Sequence, residues 1–115
     1  MTSVTIYHNP RCSKSRQTLQ LLEENGVNPD IVLYLEHPPG ESDLKNIVKL
    51  LGVSAFDIVR TGEDEYKTAG IDKNSSDGDV IKAIAGAPKL LQRPIVVKGD
   101  KAVVGRPPEN VLEII

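Results

Sequence analysis

Val4-Thr5-Ile6-Tyr7-His8-Asn9-Pro10-Arg11-Cys12-Ser13-Lys14-Ser15-Arg16 is the stretch on which the reading of this chain turns. Its first four residues are short, β-branched and aromatic, which suits a buried strand. Past Cys12, Leu19, Leu22 and Gly26 fall at helical spacing, with Gly26 a natural stop. Pro10 keeps Asn9 extended, so a helix can begin only after it. Cys12 therefore lands at or just before a helix N-terminus. There the first N–H groups have no intrahelical partner and the dipole favours negative charge. Such a place lowers the pKa of a thiol and also binds an oxyanion. A lone cysteine is often a small buried hydrophobe. Cys12, however, is flanked by Arg11, Ser13 and Lys14, with no apolar residue after it until Leu19, and this favours a reactive thiol.

After Gly26, Val27-Asn28-Pro29 reads as a turn. Asp30 to Leu35 is a near-continuous apolar run, expected of a strand buried on both faces. Strand, helix and strand over some thirty residues make a βαβ unit with parallel strands and a right-handed crossover. Glu36-His37-Pro38-Pro39-Gly40 breaks the pattern. Leu44, Ile47, Val48 and Leu51 then mark a helix, with Glu41 and Asp43 in its first turn and Gly52 closing it. Ser54 with Asp57 predicts a short capped helix ending near Arg60, and Glu63 to Ala69 predicts another before Gly70. Ser76 with Asp79 opens a helix carrying Val80, Ile81 and Ile84. Ile95–Lys98 and Lys101–Val104 are strands joined by Gly99-Asp100, which fits a type II′ hairpin. Pro107-Pro108 begins a last short helix through Leu112. The sum is one domain over residues 1–115: an α/β fold with a thioredoxin-like four-stranded mixed sheet flanked by helices, and a helical insertion between the second and third strands. In that arrangement a thiol sits after the first strand, at the start of the first helix.

Composition narrows the function. The 115 residues suffice for one real core, and the net charge of −2 gives no bulk attraction to nucleic acid. Aromatics make up 3% with no Trp, which argues against base-stacking surfaces. A single cysteine excludes an intrachain disulfide, a C-x-x-C pair and a multi-cysteine metal site. No His, Cys and carboxylate spacing supports a metal, and no Gly-rich loop supports a nucleotide. No apolar run approaches the ~18 residues of a membrane span, and Met1 to Ile6 lacks a secretory pattern. A reducing cytoplasm is the expected location, and a monomer the expected state.

Three arginines stand at element ends, where sites are usually built: Arg60 after a short helix, Arg93 before Pro94 and a strand, and Arg106 after a strand. In a thioredoxin-like sheet the turn before the third strand faces the thiol, so Pro94 is expected to be cis and Arg93 to point toward Cys12. Guanidinium forks bind tetrahedral oxyanions, although a carboxylate partner or plain solvation suits Arg60 and Arg106 equally well. His8, four residues before Cys12, could stabilise a thiolate as an imidazolium, and Ser15 could donate to the sulfur. Helix capping is an equally good use of Ser15, and His8 also fits a strand-end residue. His37 reads as a loop residue.

Tyr7-His8-Asn9-Pro10-x-Cys12-x-x-Ser15-Arg16, Leu33-Tyr34-Leu35-Glu36-x-Pro38-Pro39, Arg60, Arg93-Pro94-Ile95-Val96-Val97 and Arg106-Pro107 together resemble the glutaredoxin-coupled arsenate reductase family over nearly the whole chain. The resemblance implies Cys12 as the nucleophile toward arsenic(V), Arg60, Arg93 and Arg106 as holders of the oxyanion, and His8 and Ser15 as supports of the thiolate. It implies glutathione as co-substrate, glutaredoxin as the partner that completes the cycle, and no bound cofactor or metal. The single cysteine fits such a scheme, because two electrons are needed and one thiol cannot form an internal disulfide. Two other readings remain. One is a glutathione-dependent monothiol oxidoreductase of glutaredoxin type, which leaves three arginines unexplained. The other is a non-enzymatic polymerase-binding regulator of the same superfamily, in which a C-x-x-C pair is expected where Ser15 replaces the second cysteine.

Overall fold

The computed structural model describes residues 3–92 and 94–115. Four strands form one mixed sheet in the order β2-β1-β3-β4. β1 (Val4–His8) lies inside it, parallel to β2 (Asp30–Leu33) with His8 opposite Leu33, and antiparallel to β3 (Ile95–Lys98) with Ile6 opposite Val96. β3 pairs antiparallel with β4 (Lys101–Val104). Gly99 has φ +59° and Asp100 does not have a positive φ, which is the backbone of a II′ turn.

The strand alternation puts Val4 and Ile6 on one face, and the register lines Ile6, Val96 and Val103 across it. Helix α1 (Ser13–Glu24) contributes Leu19 and Leu22 to this face, and the C-terminal 3-10 segment Pro108–Glu113 contributes Val111. Val4, Ile6, Leu22, Val96 and Val111 are buried there as one cluster. α1 packs against the C-terminal segment, so the two ends of the chain close over the same core.

Pro38–Gln92, the segment between β2 and β3, is a compact unit of its own, and its regular elements are helices apart from one bridge. α2 (Glu41–Leu51) buries Leu44, Ile47 and Val48, and Gly52 ends it with φ +69°. α3 (Asp64–Ala69) is short, and α4 (Asp77–Gly86) buries Val80, Ile81 and Ile84 and packs on α2. The expected caps are present: Ser76 Oγ accepts from the Asp79 N–H at 3.2 Å, and the Ser54 N–H donates to the Asp57 carboxylate at 3.3 Å. Asp77 also accepts from the Ala55 N–H at 3.1 Å, tying the 3-10 turn Ala55–Ile58 to the start of α4. No helix among the described residues is long and apolar enough to cross a membrane.

One expectation is corrected. The apolar run Asp30–Leu35 is not a strand buried on both faces. β2 stops at Leu33, Tyr34–Glu36 turn away with the Glu36 and His37 N–H groups donating to Leu33 O, and Ile31 is 49% exposed. β2 lies at the edge of the sheet, and its first residues, Asp30 and Ile31, are exposed.

Leu22 lies fully buried at the centre of the sheet unit's core. Leu22→Ala is expected to lower the unfolding free energy by about 2–5 kcal/mol, read from the urea midpoint at unchanged m-value. A loss below ~1 kcal/mol would mean that this cluster does not hold α1 to the sheet.

Candidate functional site

Only four residues, 9–12, join β1 to α1, and α1's own first turns hold them in place. The Asn9 N–H donates to Ser15 Oγ at 3.0 Å, Asn9 O accepts from the Cys12 N–H at 3.0 Å, and Asn9 Oδ1 accepts from the Arg11 N–H at 3.0 Å. Arg16 reaches back and donates to Pro10 O at 3.0 Å. Asn9 is thus the organiser of the loop through three bonds, a role the sequence hints at only by placing Asn before Pro. The outcome is that Cys12 is the N-cap residue of α1, extended at φ −96° and ψ 122°, while its carbonyl accepts the Arg16 N–H at 3.0 Å.

The electrostatics at this point differ from those of the other helices. α2, α3 and α4 each begin with two acidic residues in the first turn. α1 has none, its N-cap side chain makes no cap bond, and its first turns carry Lys14 and Arg16. The positive end of its dipole is left for whatever anion stands at Cys12. Cys12 is half-buried, and Arg106 Nη2 donates toward its Sγ at 3.3 Å. A guanidinium at that distance favours a thiolate over a thiol.

His8 and Ser15 lie next to each other. His8 Nδ1 is 2.6 Å from Ser15 Oγ, which also accepts the Asn9 N–H. Both residues are buried. Burial first, and the Arg16 charge second, lower the His8 pKa from its ordinary value near 6.5. Both effects disfavour the imidazolium form, and the Ser15 hydroxyl is bonded to the ring and to the loop backbone. The other side of the loop borders a cleft of about 310 Å³ lined by His8, Pro10, Arg11, Leu33, Leu35 and Glu36, among others.

Arg60 belongs to the Pro38–Gln92 unit. Its N–H donates to Leu90 O at 2.7 Å, and the Gln92 N–H donates to Ile58 O at 2.8 Å, flanking the antiparallel bridge of Val59 with Leu91. Its guanidinium pairs with Glu63 at 3.2 Å and donates to Gln92 Oε1 at 3.0 Å. Arg93, and with it the Arg93–Pro94 bond expected to be cis, lies outside the described residues. Pro94 itself is buried, and its carbonyl accepts the Gly105 N–H at 2.8 Å. The Arg106–Pro107 bond is cis, which the sequence reading did not anticipate. Cys12 and Arg106 thus meet, His8 and Ser15 sit just behind the loop, and Arg60 is fixed within its own unit. Among the described residues no group of three or more His, Cys, Asp or Glu could hold a metal ion.

The neutral state of His8 has a measurable consequence. Its pKa is lower folded than unfolded, so the unfolded chain binds more protons below about pH 6.5. The stability this group contributes is complete above that pH and is lost as pH falls through the lowered native value. Urea midpoints measured from pH 7.5 to 5 should fall more steeply for wild type than for His8→Gln. Parallel slopes would contradict a buried neutral imidazole.

Comparison with known proteins converges on one family. The sequence model of the ArsC family matches residues 7–114. An uncharacterized protein, YfgD, of Escherichia coli K12 is 54% identical over 97% of this chain and 96% of its own length. A protein named arsenate reductase in Neisseria meningitidis is 48% identical over the full length of both chains. The solved structure of an arsenate reductase from Vibrio cholerae superposes with a TM-score of 0.94 at 46% identity, covering 99% of this chain and 98% of that one.

Proposed function

Because the chain belongs to the ArsC family, we propose that it reduces arsenate to arsenite with Cys12 as the nucleophile. The observation that carries this reading is the half-buried Cys12 sulfur at an uncapped helix start, 3.3 Å from the Arg106 guanidinium. Relatives of full length named arsenate reductase support the choice of oxyanion.

The Cys12 thiolate attacks arsenic(V) and an arsenate oxygen leaves as water, forming a sulfur–arsenic bond. Arg106 neutralises charge on the arsenate oxygens as that bond forms, since preorganised donors act most strongly where charge develops. Arg93 supplies a second fork, and Arg60 a third when it shares or gives up its Glu63 and Gln92 contacts. His8 supports the thiolate indirectly: it holds the Ser15 hydroxyl and so the Asn9 backbone, which keeps Cys12 at the helix start.

Arsenic must then accept two electrons. Glutathione attacks the adduct, entering along the cleft beside the loop, and a glutaredoxin thiol takes up the glutathione sulfur. The two sulfurs that lose electrons end as a glutathione–glutaredoxin mixed disulfide. Cys12 departs as a thiolate and arsenite is released, so the enzyme is unchanged over a cycle. With one cysteine in the chain, both reducing sulfurs have to come from outside.

The test is arsenate-dependent oxidation of NADPH with glutathione, glutaredoxin and glutathione reductase present. Cys12→Ser should fall to the rate without enzyme. Arg106→Ala should lose about 10²-fold or more in kcat/KM, as when one oxyanion donor is removed. Leaving out glutathione should stop turnover of the wild-type protein. A wild-type rate no higher than that of Cys12→Ser would refute the assignment.

A further inference from the structure

An arginine side chain is long and costs rotamer entropy to hold in one place, so a contact such as Arg106 to Cys12 needs a fixed root. Arg106 lies past the end of β4, where the sheet register stops at Val104 opposite Ile95. We propose that Thr18 and Asn110 are positioning residues that fix the backbone around Arg106 so that its guanidinium meets the Cys12 sulfur.

Three successive carbonyls, those of Val104, Gly105 and Arg106, each accept a hydrogen bond from a side chain. Asn110 Nδ2 donates to Val104 O and to Arg106 O, both at 3.2 Å, using one hydrogen for each. Thr18 Oγ1 is within 3.3 Å of Gly105 O and shares its proton with Lys14 O, at 2.8 Å. Thr18 is fully buried. It stands on α1, the same helix that presents Cys12, so one rigid element carries the sulfur and grips the chain next to the arginine. The fit there is close: a Cβ on Gly105 would come within 2.6 Å of Thr18 Oγ1 and 2.8 Å of Pro94 Cγ. The Gly105 N–H donates to Pro94 O at 2.8 Å, so the same glycine is also held from the β3 side. The side-chain hydrogen bonds of Thr18 and Asn110 go to backbone carbonyls, so these residues act through where Arg106 begins.

The inference shares with the proposed reaction the premise of a working Cys12 thiolate, but its test uses neither arsenate nor glutathione. The readout is the pH midpoint for alkylation of Cys12 by iodoacetamide. Arg106→Ala should raise that midpoint by about one unit, the size expected for losing a charge-assisted bond to a thiolate. Thr18→Val, which keeps the shape and removes the hydroxyl, and Asn110→Leu should each raise it by part of that amount. Thr18→Ser should restore the wild-type value. In an Arg106→Ala background neither Thr18→Val nor Asn110→Leu should add a further shift, because both act through the missing guanidinium. Should one variant fail to fold, the other decides. Wild-type midpoints in Thr18→Val and Asn110→Leu, even with lowered urea stability, would reduce both residues to structural ones and overturn the proposal. Shifts of the same size with and without Arg106 would overturn it as well.

Discussion

The shortness of the link between the central strand and the first helix governs the site. β1 is hydrogen-bonded on both sides, to β2 and to β3, so its end at His8 cannot shift without breaking two ladders. α1 begins at Ser13 and is pinned to the same sheet face by Leu19 and Leu22. Four residues have to cross from one fixed end to the other, and Pro10 removes one of their N–H groups from the accounting. Asn9 bonds to Arg11, Cys12 and Ser15, and Pro10 O accepts from Arg16, which holds Cys12 at the helix start. The Cys12 sulfur is thus located by sheet pairing and core packing together with these loop bonds.

The same constraint sorts the charges. Where a helix start serves only the fold, this chain places acids in the first turn, as in α2, α3 and α4. At α1 that stabilisation, roughly 0.3–1 kcal/mol per acidic residue, is forgone. Cations gather instead, and Arg106 comes within 3.3 Å of the sulfur. Positive charge gathered at a helix start favours an anion there. Arg60 shows the opposite treatment, with Glu63 and Gln92 occupying its guanidinium.

Much of this is legible in the chain because it is local. Ser76 with Asp79, Ser54 with Asp57, and glycines at 52, 70 and 99 signal their caps and turns through neighbours one to three residues away, and the elements follow. The placement of Cys12 is equally local, set by a strand signal, a proline and a helical repeat. Non-local facts are not legible. The apolar run Asp30–Leu35 reads as a strand buried on both faces because apolarity does not reveal what covers each face, and Ile31 is exposed. The charge on His8 depends on how deeply β1 is buried and on where Arg16 points, and the sequence states neither. Thr18 looks like an ordinary polar helix residue, since the carbonyl it meets is 87 positions away.

Two sources of thiolate stabilisation are conceivable here, and they make different demands on the protein. An imidazolium at His8 would have to stay charged while buried, with Arg16 repelling it, and its Nδ1 is already bonded to Ser15. A guanidinium keeps its charge at any accessible pH and is more weakly hydrated, so bringing it to a half-buried sulfur costs less. The helix start adds fixed partial charge that cannot titrate at all. A thiolate held by Arg106 and α1 would therefore ionise once, at its own pKa, and its reactivity would carry no second limb from histidine deprotonation. The lower pH limit of such a thiolate would be set by the sulfur and not by a histidine.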